Sequence, residues 1–240
     1  MTEKITVLNN GYVRLVDKLG GDITTVNSAR VSMDKATDVM RPQDERLVGY
    51  LAKHDHTSPS RHGVMQFEIL APLMIARQWM KYVVGSVHQD PLFAWNESSR
   101  RYVTEEPQFY LPKPEEWRSK SADVKQGSGE PADNLIGIKH TKRLRETIHR
   151  GVINYEQAME DGICAEQARL YLPAYGLMVR WYWTASVQSV SHMINQRVAP
   201  ESQYEFQLYA KAVHTLATEH FPLSVSALTK GAITSEINEN

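Results

Sequence analysis

Gln78, on what reads as a helix, and the run Asn96-Glu97-Ser98-Ser99-Arg100-Arg101-Tyr102 supply an amide, a carboxylate, hydroxyls and adjacent guanidinium groups. That is equipment for holding a phosphorylated ligand. Arginine forks grip phosphate through two parallel N–H bonds, and serine hydroxyls and loop N–H groups complete the cradle. An Arg-Arg pair alone is usually a solvated turn; the density of polar groups straight after an apolar strand and helix favours a site. Arg169, in Ala168-Arg169-Leu170-Tyr171-Leu172-Pro173, and Arg197, in Met193-Ile194-Asn195-Gln196-Arg197, stand among apolar or aromatic neighbours. A buried charge is costly unless it meets a carboxylate or an anionic ligand. Each alone fits a structural ion pair equally well; together with Arg100 and Arg101 they favour an anion site.

Other chemistries have weaker support. His54, His56 and His62 lack cysteine or acidic partners at zinc-like spacing, Asp55 excepted, so no metal is expected. His56 with Ser58-Pro59-Ser60 makes a polar turn that could serve a ligand. Cys164 has no evident base nearby and reads as a packed small residue at a helix start. The chain contains neither Gly-x-Gly-x-x-Gly nor a Walker loop, so any nucleotide is bound outside those frameworks.

The elements that must position these groups are readable in outline. Ile5 to Leu8 and Tyr12 to Val16 read as strands around an Asn9-Asn10-Gly11 turn. Helices are expected over Ile23 to Met33 and from Pro42 to near His54. Met65, Phe67 and Ile69 alternate with Gln66 and Glu68, the period of a half-buried strand. Pro72 then opens a helix to about Tyr82, with Met74 and Gln78 on one face. Residues 83 to 96 read as a long loop, and Lys113 to Asn134 as an exposed flexible excursion. A helix is expected from Leu135 to Met159, a shorter one through Arg169, a strand over Tyr175 to Trp183, and helices over Val187 to Arg197 and Glu201 to Ala217. Strands and helices do not alternate regularly, which indicates an α+β fold.

At 240 residues, 42% of them hydrophobic, the chain suits one domain over 1–240 with a sizeable core. Lys plus Arg (27) nearly balance Asp plus Glu (28), so no global field points to nucleic acid or an anionic membrane. A single cysteine forms no intrachain disulfide and suits a reducing compartment. Met1-Thr2-Glu3-Lys4 begins no signal peptide and no apolar run approaches a membrane span, so a cytoplasmic protein is expected.

Taken together, these residues resemble the flavin-dependent thymidylate synthase family. Ala29-Arg30-Val31-Ser32 resembles its early helix, His56 with Ser58-Pro59 its His-x-(Thr/Ser)-Pro turn, and Ala76-Arg77-Gln78-Trp79 its central helix. Asn96 to Tyr102 resembles the Asn-Glu-x-Ser-x-Arg-Tyr end of its signature. Ala168-Arg169 through Leu172-Pro173, Trp181-Tyr182-Trp183-Thr184 and Arg197 follow in order. The resemblance implies C5 methylation of dUMP to dTMP with methylenetetrahydrofolate, FAD and NADPH, and no attacking enzyme cysteine. It also implies a small antiparallel sheet flanked by helices, in a homotetramer with sites at subunit interfaces.

Carried over by position, Gln78, Lys81, Glu97, Ser99, Arg100 through its backbone, Arg101 and Arg169 should hold the nucleotide, and Arg197 should lie against the pyrimidine as the catalytic cation. Ser32, His56, Ser58, Lys81, Asn96, Glu97 and His192 should contribute to FAD binding. The departures fall on the flavin side. Lys81-Tyr82-Val83 stands where Arg-His-Arg is common, and residues are inserted between Ser86 and Asn96. Arg61 stands where a carboxylate is expected. Ser186, Gln188, His192 and Glu201 replace positions that often carry Asn, Arg, Asn and His. Either FAD is held by other contacts, for example from His88, Gln89 and Trp95, or it binds more weakly. Two alternatives follow for the function: a related methylase acting on UMP, or a nucleotide-binding homologue without catalysis, which would bind dUMP but not FAD.

Overall fold

The computed structural model describes residues 4–83, 90, 94–98, 106–122 and 127–229. The strands β1 (Lys4–Val7) and β2 (Gly11–Leu19) form the expected hairpin. Gly11 is required there, because a Cβ would collide with the Tyr209 hydroxyl and the Leu70 carbonyl, which are bonded to each other at 2.9 Å. Helix α1 (Asp22–Ala29) stops short of the expected Met33, and Val31–Met33 makes a separate 3-10 turn. Helix α2 (Pro42–Lys53) begins with proline at its first turn, and Asp44 accepts from the Arg41 N–H at 2.9 Å.

The strand β3 (Val64–Pro72) leads into α3 (Leu73–Trp79). The expected loop over residues 83 to 96 is corrected at its end: Ala94–Glu97 is strand β4. The stretch 113–134 contains a hairpin of β5 (Arg118–Lys120) and β6 (Ser128–Pro131). Helix α4 (Asn134–Glu160) follows, capped by Asp133, which accepts from Leu135 N at 2.9 Å. Then come α5 (Ala165–Ala168), β7 (Met178–Ser186), α6 (Val187–Arg197), α7 (Tyr204–His220) and α8 (Pro222–Leu228). Helix α7 starts later than Glu201, and α8 was not expected. Among the described residues no helix is long and apolar enough to cross a membrane.

The main sheet is antiparallel, in the order β1-β2-β3-β7-β4. Because side chains alternate across a strand, one face carries the fully buried Met65, Phe67, Ile69, Trp181 and Trp183, against which α3, α6 and α7 pack. The other face carries a polar row in register across all five strands: Lys4, Arg14, Glu68, Tyr182 and Asn96. Glu68 is buried at its centre, paired with Arg14 and accepting from Tyr12 (2.5 Å) and Tyr182 (3.3 Å), with Arg180 Nε at 3.7 Å.

Burial opposes ionisation of Glu68, but the bonds from Tyr12 and Arg14 and the two arginine charges win and hold its pKa below the ordinary value. Tyr12 is pushed up to about 12, by burial first and then by its bond to Glu68. A depressed carboxyl stabilises the fold above its unfolded pKa and loses that contribution as pH falls through the lower folded value. Thermal unfolding followed downward from about pH 5 should therefore fall less steeply in Glu68→Gln than in the unmodified protein. Identical acid limbs would remove Glu68 from the account.

Candidate active site

Arg197 is the last residue of α6, and its guanidinium lies over two rings, 4.9 Å from the Phe206 centroid and 5.3 Å from that of Tyr82. Its Nε is buried without a hydrogen-bond partner, and no carboxylate pairs with it among the described residues. The Tyr82 hydroxyl donates to Gln196 Oε1 at 3.2 Å. Burial raises the Tyr82 pKa, and the Arg197 charge pulls it the other way. The half-buried His192 ring meets Tyr82 edge-on at 6.1 Å, and burial lowers its pKa, so the imidazole is neutral near pH 7.

Gln78, near the end of α3, donates from Nε2 to Gln203 Oε1 at 2.5 Å, and Gln203 Nε2 donates to Glu205 Oε2 at 3.0 Å. This relay leads into a cavity of about 580 Å³ lined by Tyr110, Trp117, Arg118, Leu144, Gln203 and Tyr204. Arg118 stacks 4.6 Å over Tyr204 and donates to Ser128 Oγ at 2.8 Å. Burial, with Glu205 and Glu116 beside it, raises the Tyr110 pKa. Gln203, Glu205 and Arg118 were not singled out in the sequence, since nothing local distinguishes them from ordinary helix and hairpin residues.

The remaining candidates are placed less centrally. Asn96 and Glu97 lie on β4, exposed, opposite Tyr182 and Trp181. Lys81 is exposed just past α3. Ser32 and Ser58 are exposed on the two turns beside α1, and His56 is exposed just before the second of them. Ser99, Arg100, Arg101, His88 and Gln89 lie outside the described residues. Arg169 corrects the expectation of a buried, apolar setting: it is exposed, and among the described residues its Nε donates to its own turn, to the Glu166 carbonyl at 3.2 Å. Its apolar neighbours Leu170 and Tyr171 are themselves exposed, so the segment is an apolar surface and not a core. Cys164 is likewise exposed at the start of α5, not packed.

The donor set beside α1 and α6 suits the flavin cofactor that the resemblance implies. It offers the hydroxyls of Ser32 and Ser58, the imidazoles of His56 and His192, and the Arg61 guanidinium. Beside them the buried Gln188 amide Nε2 has no partner among the described residues. A large polar group bearing phosphates matches such donors.

Comparison with known proteins agrees. The family model described as thymidylate synthase complementing protein matches residues 14–223. A flavin-dependent thymidylate synthase from Thermus thermophilus is 36% identical over 235 residues, covering 96% of this chain and 82% of that protein. One from Wolbachia pipientis is 32% identical over 233 residues, covering 97% and 78%. A crystal structure of a UMP/dUMP methylase from Streptomyces cacaoi bound with 5-Br dUMP shares the fold, with a TM-score of 0.77 at 24% identity over 96% of this chain and all of that one. The fold, the residues gathered around α3 and α6, and these relatives agree on one conclusion: the chain belongs to the flavin-dependent thymidylate synthase family.

Proposed function

We propose that the protein methylates C5 of dUMP to give dTMP, with methylenetetrahydrofolate as carbon donor, FAD as redox cofactor and NADPH as reductant, in the cytoplasm as a homotetramer. Arg197 carries the reading: a cation held over two rings, with a buried donor unmet among the described residues, is suited to a pyrimidine that becomes negatively charged as C5 reacts. Gln78, braced by Gln203, would orient the nucleotide with Lys81, and Glu97 would sit near sugar and base. Ser99, the Arg100 backbone, Arg101 and Arg169 would hold the phosphate. Ser32, His56, Ser58, Asn96 and His192 would hold FAD, with Lys81 and Glu97 reaching both ligands. Bound FAD, once reduced, would supply the hydride that converts the transferred methylene into a methyl group.

Exposure of Arg169 among Leu170 (82% exposed), Tyr171 (54%) and Tyr175 (73%) supports a tetramer in which another copy covers this surface and brings Arg169 to a nucleotide. Sedimentation velocity should give a tetramer; a monomer at working concentration would remove the shared site.

Incubation of FAD-loaded protein with dUMP, methylenetetrahydrofolate and NADPH should yield dTMP. Folded, flavin-loaded protein that makes none would sink the reading, and folded protein that binds dUMP but no FAD would leave the nucleotide-binding homologue. UMP is the competing substrate because the fold is shared with a protein described as a UMP/dUMP methylase. Equal or faster turnover of UMP would replace dUMP as the assigned substrate.

A further inference from the structure

Ser58–Arg61 is a 3-10 turn, in which residues three apart stand one above the other, so Ser58 and Arg61 share a face. The Arg61 Nε donates to Gln188 Oε1 at 2.7 Å. Gln188 is 2% exposed in the first turn of α6, and His192 lies one turn further along the same face. A guanidinium has donors and no acceptor, so this bond fixes the amide with its oxygen toward Arg61. The orphaned Nε2 is therefore a true unmet donor among the described residues, not a reversed amide. A donor buried without a partner bears its full desolvation cost, which a bound acceptor would relieve.

The helix start does not use this pair. Ser186 Oγ accepts from Ser189 N at 3.2 Å, and Asp90 Oδ2 accepts from Ser186 N at 2.8 Å. No carboxylate pairs with Arg61 among the described residues. What remains at this spot is a cation, a hydroxyl and a buried amide donor, all suited to an anion's oxygens. The departures noted in the sequence meet here in space: the turn holds an arginine where a carboxylate was expected, and α6 holds an amide where an arginine was expected. In this protein the positive charge at the contact comes from the turn and not from α6.

We propose that Arg61 is the cation that meets the pyrophosphate of FAD in this protein, with Gln188 as its positioning residue. The assignment rests on the flavin dependence of the protein.

The test is titration of apoprotein with FAD and, separately, with riboflavin, which lacks phosphate, followed by flavin fluorescence alongside thermal melts. Arg61→Ala should raise the FAD Kd by about tenfold to a hundredfold, leaving riboflavin and dUMP binding unchanged and lowering the melting temperature by only about 2–8 °C for the donor lost by Gln188 Oε1. Arg61→Lys should recover part of the loss. The exchange Arg61→Glu with Gln188→Arg should restore FAD binding beyond either single change. Equal losses for FAD and riboflavin would make Arg61 a structural strut and overturn the assignment, as would unchanged FAD affinity in Arg61→Ala. Failure of the unmodified protein to bind FAD would overturn the flavin reading together with this assignment. A flavin-binding parent beside an equally competent Arg61→Ala overturns this assignment alone.

Discussion

Arg197→Ala is expected to slow turnover by about a hundredfold to a thousandfold while weakening dUMP binding far less. The guanidinium is held over Phe206 and Tyr82, and its buried Nε has no protein partner among the described residues. Its charge is thus fixed in place before the ligand arrives and needs little reorganisation as the ring becomes anionic. A group of this kind acts on the difference between ground and transition states, so its loss appears in kcat more than in affinity. Arg197→Lys should fall between the two, because an ammonium on a flexible stem stacks less well on the rings. Single-turnover rates and dUMP titrations on the same preparations separate the effects. Equal losses in both would reduce Arg197 to an anchor.

Trp79→Ala should cost about 3–5 kcal/mol of stability, near the lower end of that range. Trp79 is fully buried where α3, β7 and α7 meet. Its ring lies 5.5 Å from Trp181 and 5.4 Å from Trp183, both edge-on, and stacks on Phe206 at 5.2 Å. Removing it leaves a cavity among rigid rings that cannot collapse to fill the space. The indole Nε1 has no acceptor among the described residues, so deletion also removes an unmet donor, which pulls the loss downward. For a chain of this size the melting temperature should drop by roughly 6–20 °C. Because Phe206 also supports Arg197, and Gln78 is the preceding residue in the chain, surviving protein should bind dUMP poorly. A drop of only about 1 °C would mean that the cluster does not organise the core.

Where a local pattern determines an element, the sequence shows it. Met65, Phe67 and Ile69 alternate because one face of β3 is sealed, and Pro42 marks the start of α2 because its missing N–H is not needed there. Strand β4 was read as loop because four mostly exposed residues contain no period; only pairing with β7 makes them a strand. Arg197 could be read as a cation in an apolar setting, since Met193 and Ile194 on its own helix are buried. Arg169 misled because Leu170 and Tyr171 look like core and lie on the surface. The Arg61–Gln188 contact joins residues 127 apart in the chain, and no pattern in either neighbourhood announces the other.

The strand order has a consequence for biosynthesis. Among the described residues β7 is the last strand to be translated; it lies between β3 and β4, and β4 pairs with it alone. A ribosome that has released β1 to β3 can let them form their antiparallel ladders. Asn96 and Glu97 must wait until Met178–Ser186 has emerged before they have a neighbour to bond. Loop closure across that distance is entropically slow. The edge carrying these two residues is therefore the last part of the sheet to form, and a nascent chain gains it only when nearly complete.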